Sequence, residues 1–178
     1  DASCKTRIFL GTADNHLVAI DAKSGKTCAE FGEQGAVQIV SSKPEIFPGE
    51  LLITSRPAVV NDVVVVGSAV ADNQRVDAPS GRVLAFDART GAQVWEFDPL
   101  PRNASDPAAR SWAKGTAEGF GGGNVWSDMA ADQALDLAIV QALAVAVSFE
   151  RVGAVPKNFF AVLQSIAVAV RVVRIRSV

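Results

Sequence analysis

Tyrosine is absent from this 178-residue chain, histidine and methionine occur once each, and cysteine occurs twice. A lone histidine, His16, sits in a turn-like stretch and is expected to be exposed, so it is weak evidence for catalysis. No Ser-His-Asp or Cys-His set can be built around it. The two cysteines, Cys4 and Cys28, do not suit a structural zinc site, which takes four Cys or His ligands in close pairs. They read equally well as a disulfide, which would fit an oxidising compartment, or as two free buried thiols. No run of 18 apolar residues is present, so a membrane-spanning helix is not expected. Basic residues number 17 against 19 acidic ones, a net charge of −2, which removes the positive field that nucleic-acid binding requires. Neither an initiator Met nor a signal peptide opens the chain, so it is expected to start inside a longer or processed protein.

What is present reads as a globular chain, 49% hydrophobic and 20% charged, with a size sufficient for a core. Over the first 138 residues, short strands alternate with turns. Strands are predicted at Arg7–Leu10, Leu17–Ile20, Thr27–Phe31, Val63–Val66, Val83–Phe86 and Gln93–Phe97. The pair Asp14-Asn15 and the stretch Lys23–Lys26 are turns. The unbroken β-branched run Val63–Val66 predicts a strand buried on both faces.

An internal repeat organises these strands. Leu17–Phe31 aligns without gaps on Val83–Phe97, with six of 15 positions identical. Each copy reads strand, Asp-Ala-basic-Ser/Thr-Gly turn, then a segment ending in Glu-Phe. The Asp closes the turn with its side chain. A hairpin of this kind cannot bury its own faces and must stack on copies of itself, which points to an all-β propeller. Repeated sandwiches are the structural alternative. Trp95 in the second copy is expected to dock one blade on the next, whereas the first copy has Ala29 there.

Two segments exceed what a plain hairpin needs. Ala69–Ser80 is an insertion carrying Asp72, Asn73, Arg75 and Asp77, and long loops are often functional. Pro99–Gly123 is a longer loop whose run Gly121-Gly122-Gly123 permits close backbone approach. It lacks the strand and helix context of a phosphate cradle. Trp112, within it, has no assigned role. Beyond residue 138 the turn punctuation stops, and Val and Ala supply 18 of the 40 residues from 139 to 178. Phe159, Val162, Leu163, Ile166 and Val170 fall roughly on one helical face. A core helix and an interfacial membrane helix are both compatible with that pattern. The preferred expectation is a non-native, frameshifted tail, giving two regions: a partial propeller at 1–138 and an atypical segment at 139–178.

The ordered segments Cys4–Ala22, Cys28–Gly32, Thr54–Pro57, Val66–Asn73, Asp77–Gly81, Phe86–Trp95 and Gly123–Asp132 resemble the membrane-bound quinoprotein glucose dehydrogenase family over roughly residues 3–137. The resemblance implies about two blades of an eight-bladed, periplasm-facing propeller that uses pyrroloquinoline quinone (PQQ) and Ca²⁺ or Mg²⁺. It implies oxidation of glucose or a related polyol or hydroxy acid, with electrons passed to ubiquinone. It also implies roles for single residues. Asp72 and Asn73 match a metal-site pair, with oxygen ligands for a hard cation. Thr54 matches a hydroxyl at the cofactor's polar edge, and Trp126 matches an indole lying flat beneath its ring, where a planar tricycle gains from an aromatic floor. Ser68, Ala69 and Asn124 are expected to line the same cavity.

The family's catalytic Asp base, a Lys near the quinone and the N-terminal membrane anchor have no counterpart in this sequence. The chain alone is therefore expected to show no turnover, and membrane association is expected only through the missing anchor. A non-catalytic propeller scaffold for protein partners is the alternative function, although a scaffold needs neither a metal loop nor a stacking floor. A small β/α binding protein with a genuine tail is a third.

Overall fold

The computed structural model describes residues 4–103, 105–113, 119–135 and 137–139. Nearly all of the segment 139–178, with its candidate helical face, lies outside the described residues.

Each of the repeated Asp turns satisfies its own backbone. Asp21 Oδ1 accepts hydrogen bonds from the Lys23 and Ser24 amides and from the Ser24 hydroxyl. Asp87 Oδ1 does the same with the Arg89 and Thr90 amides and the Thr90 hydroxyl. Both turns end on a glycine at positive φ, 71° at Gly25 and 74° at Gly91, whose amides donate to the carbonyls of Asp21 and Asp87. That backbone conformation is strained for any side chain with a Cβ. A third such turn went unnoticed in the sequence: Asp132 Oδ1 accepts from the amides of Ala134 and Leu135.

These turns connect antiparallel strands. The first sheet contains β1 (Arg7–Gly11), β2 (His16–Asp21) and β3 (Ala36–Gln38), in that spatial order. A short pair follows, β4 (Leu51–Leu52) with β7 (Ala69–Val70). The central sheet is a complete four-stranded blade of β5 (Ala58–Val60), β6 (Val63–Val66), β8 (Val83–Asp87) and β9 (Gln93–Phe97), ordered β5-β6-β8-β9. A final hairpin of β10 (Ala130–Asp132) and β11 (Leu137–Ile139) packs beside β5. Gln133 fastens it there. Its side-chain amide donates to the Val59 carbonyl and accepts from the Asn61 amide, both at 2.6 Å, along the outer edge of β5.

The two inner strands of the central blade, β6 and β8, are buried on both faces, as the β-branched run predicts. Val64, Val66, Leu84 and Phe86 face the first sheet and pack with Leu17, Ala19, Cys28 and Phe31. Val65, Val83 and Ala85 face the opposite way and pack with Val125, Met129 and Ala138. Alternation along a pleated strand sends neighbouring valines to opposite neighbours, and each fully buried Val contributes about 1.5–3 kcal/mol. Trp95 packs on the second of these clusters, in the blade-docking place expected for it. Stacked antiparallel sheets, each covering its neighbour, are successive blades of a partial β-propeller.

Two sequence-based expectations need correction. Thr27–Phe31 is not a strand. Only Thr27 bridges back to Ile20, after which the Phe31 amide turns to the Cys28 carbonyl at 2.8 Å. A disulfide joins Cys28 to Cys4 and Phe31 is fully buried, so the chain curls inward to satisfy both and β3 takes the place beside β2. His16 is not in a turn; it opens β2 opposite Gln38 and is half-buried.

The buried Asp21 also receives the Cys4 amide. The Ser24 and Cys4 amides, with the Ser24 hydroxyl, hold its carboxyl down at about 2 from the ordinary 3.8. Because the folded value is depressed, its stabilisation is complete above pH ~4 and is lost as pH falls through ~2. Urea midpoints measured from pH 5 to pH 2 should therefore fall less steeply for Asp21→Asn than for the unaltered chain. Parallel curves would refute this assignment.

Candidate functional site

Four segments meet at the end of the central blade, and glycines set their spacing. The Gly67 amide donates to the buried Ser55 Oγ at 3.2 Å. Its Cα lies so close to the Val125 carbonyl that a Cβ could not be accommodated. Gly121 is packed in the same way on the Ala78 carbonyl, and Gly81 on the backbone of Asn124. Backbone bonds lock this arrangement: Gly121 N to Val76 O at 2.7 Å, Gly122 N to Pro79 O at 2.9 Å and Gly81 N to Gly122 O at 3.0 Å. The triglycine run thus lies directly against the insertion, which is the close approach expected of it.

The packing brings two of the anticipated residues, Asp72 and Asn124, into contact. Asn124 is buried, and its Nδ2 donates to Asp72 Oδ2 at 3.3 Å and is 3.5 Å from the Val70 carbonyl. Asp72 is exposed beyond that contact, as is the adjoining Asn73, whose Oδ1 accepts from the Gln74 side chain. Val125 is fully buried, yet the next residue, Trp126, is 60% exposed. Thr54 is likewise exposed, one residue before the buried Ser55 that binds Gly67. Beside these two, Arg56 and Asp128 form a bidentate pair at 3.1 and 2.6 Å. The guanidinium of Arg56 holds the Asp128 carboxyl below its usual range.

Ser68 stands apart. Its Oγ is buried without a hydrogen-bond partner among the described residues. It lines a cleft with Ile53, Val66, Gly67 and Ser80, and Thr54, Asp72, Asn124 and Trp126 do not border that cleft. Trp112 contacts Phe120 at a ring separation of 6.2 Å within the long loop.

Sequence reasoning missed Ser55, whose hydroxyl ties two segments of the site, and Glu50, whose buried side chain binds Arg75. The signal for Glu50 was one acidic residue directly before the apolar run Leu51-Leu52-Ile53.

Stacked antiparallel sheets define the class as a β-propeller, with Trp126 exposed and Asp72 meeting Asn124 on its loops. Residues 1–150 match the model of the PQQ β-propeller domain of glucose/ethanol/alcohol dehydrogenases, and the chain belongs to that family. It is 39% identical over 139 residues to the glycerol dehydrogenase large subunit of Gluconobacter oxydans, covering 77% of this chain and 18% of that one. Against the quinoprotein glucose dehydrogenase of Escherichia coli it is 36% identical, covering 76% of this chain and 17% of the other. The solved quinohemoprotein alcohol dehydrogenase of Comamonas testosteroni aligns with a TM-score of 0.60 at 28% identity, over 78% of this chain and 20% of that chain. The chain thus spans about a fifth of the length of these relatives.

The residues present fit the group that the family name implies. Trp126 is 60% exposed directly after a fully buried Val125, so its indole is open to a planar group that stacks on it. Asp72, Asn73 and Asn124 offer carboxylate and amide oxygens, the donors a hard divalent cation takes. Among the described residues no group of three His, Cys, Asp or Glu side chains could hold a metal.

Proposed function

We propose that this chain forms part of a PQQ- and divalent-metal-dependent dehydrogenase that oxidises glucose or a related polyol or hydroxy acid. The observation that carries this reading is the arrangement of Trp126, 60% exposed, immediately after a fully buried Val125 and an Asn124 hydrogen-bonded to Asp72. PQQ held there would supply a hydride acceptor, and a divalent cation held beside it would supply a Lewis acid. Trp126 provides the floor on which a planar ring lies. Asp72 and Asn73 supply oxygen ligands for Ca²⁺ or Mg²⁺, and Asn124 orients Asp72 through its amide. Thr54 presents a hydroxyl to the polar edge of the ring, whereas Ser68, in a separate cleft, is given no part in holding it. Electrons are proposed to pass to ubiquinone. The disulfide supports an oxidising compartment, the periplasm. The relatives' names support a small-molecule alcohol or sugar substrate. We assign no general base within the chain, so the test is one of binding.

Titrating the chain with PQQ in the presence of Ca²⁺ should quench tryptophan fluorescence saturably. Trp126→Ala should weaken binding by at least about tenfold, the scale of one lost stacking contact worth ~1.5 kcal/mol. It should leave the urea midpoint nearly unchanged, because the side chain is largely exposed. Quenching of equal affinity in the variant would rule out the stacking role. Absence of PQQ binding in the unaltered chain would favour the scaffold reading.

A further inference from the structure

The loop that carries Asp72 and Asn73 is held from below by a charge pair that the proposed chemistry does not use. Glu50 is 0% exposed. Its Oε1 accepts from Arg75 Nε at 2.6 Å, and its Oε2 accepts from Arg75 Nη2 and the Ile46 amide at 3.1 and 2.9 Å. Arg75 Nη2 also reaches the Pro44 carbonyl at 3.1 Å, and the Glu50 carbonyl accepts the Ala71 amide at 2.9 Å. Glu50 therefore clamps the chain at 46, 71 and 75, and Arg75 adds Pro44, with Asp72 and Asn73 inside the span. Next to the clamp, the β4–β7 ladder supplies two pairs, Leu51 with Val70 and Leu52 with Ala69.

A buried ion pair is a poor way to gain stability, since apolar side chains of similar volume serve as well or better. What the pair adds is direction. A guanidinium and a carboxylate joined through two nitrogens fix each other's orientation, as a packed Leu or Met would not. The Arg75 end lies three residues beyond Asp72, and the loop between them is open to solvent.

We propose that Glu50 and Arg75 are a positioning pair: they fix the 71–77 loop so that Asp72 meets Asn124 and, together with Asn73, faces a divalent cation. The proposal rests on the reading of Asp72 and Asn73 as cation ligands. It separates two properties that ordinary structural pairs combine. Replacing both members by apolar residues should preserve the blade while loosening the loop.

The test uses the full chain with the double variant E50L/R75M and the single variant R75K. Amide hydrogen exchange is followed at Ala71, Asp72 and Gln74, with Val64 and Val65 in the blade as internal reference, and Ca²⁺ binding is measured calorimetrically. In E50L/R75M the loop amides should exchange about tenfold faster, the blade amides should be unchanged, and Ca²⁺ affinity should fall by about 10- to 100-fold, the range found when groups orienting metal ligands are removed. R75K, which keeps the charge and loses the fork, should fall between the two. Unchanged loop exchange in the double variant overturns the proposal, as does faster exchange with unchanged Ca²⁺ affinity. Faster exchange throughout the blade would make the pair a general stability element and overturns it too. If the unaltered chain takes up no Ca²⁺, the metal reading of Asp72 and Asn73 fails, and the exchange data alone decide whether the pair holds the loop.

Discussion

Replacing both Cys4 and Cys28 by alanine should destabilise the chain by about 2–5 kcal/mol, enough to consume much of the stability of an ordinary domain. The disulfide joins residues 24 apart and closes a loop that contains all of β1 and β2. Both sulfurs lie in the main apolar cluster, with Cys28 fully buried among Leu17, Ala19 and Phe31. Opening the bond frees the start of the chain from the sheet, although the Cys4 amide would still have Asp21 to bind. It also releases the curl at Cys28–Phe31 that seats Phe31 against Phe9 at 5.5 Å. Urea unfolding with and without a strong reductant gives the measurement. The unaltered chain should lose midpoint on reduction, and the double variant should be insensitive to reductant. A midpoint unaffected by reduction would mean that the bond does not stabilise the fold.

Gly67→Ala should damage stability and binding together. Its Cβ would be driven into the Val125 carbonyl and against Val125 Cβ and Ser55 Oγ. The principal obstruction is backbone, which cannot rotate aside, so the two segments must separate. Overpacking of this kind costs about 1–3 kcal/mol, and here the Ser55 bond to the Gly67 amide is also strained. The larger consequence is local. Val125 carries Asn124 on one side and Trp126 on the other, so its displacement moves the indole floor and loosens the amide on Asp72. PQQ affinity should drop at least as far as in Trp126→Ala, and this time with a lowered urea midpoint. A Gly67→Ala chain with unaltered midpoint and quenching would contradict the packing described here.

Much of the fold was legible because its signals are local. An Asp with a Ser or Thr three residues on and a Gly after it builds its own turn whatever lies around it, which is why Asp21 and Asp87 behave alike. The run Val63–Val66 announces two buried faces because no polar residue interrupts it. The third turn, at Asp132, carries no such signal, because Leu135 stands where the Ser or Thr would be and Asp136 where the Gly would be. Thr27–Phe31 was misread because its alignment with the true strand β9 is sound as sequence, while the bond between Cys4 and Cys28 bends it. The candidate site was legible only through resemblance. Asp72-Asn73 alone is an ordinary turn pair, and Trp126 alone is an ordinary core aromatic; neither residue type carries its function in a pattern.

The sequence by itself determined the strand-and-turn grammar, the repeat and hence the class of fold, since these depend on side chains a few residues apart. Only the tertiary structure decided that Cys4 meets Cys28, that Asn124 reaches Asp72 across 52 residues and that Glu50 holds Arg75 across 25. Such pairings are set by how blades stack and by where glycines let two backbones touch, and no local preference encodes the distance between segments that the chain separates.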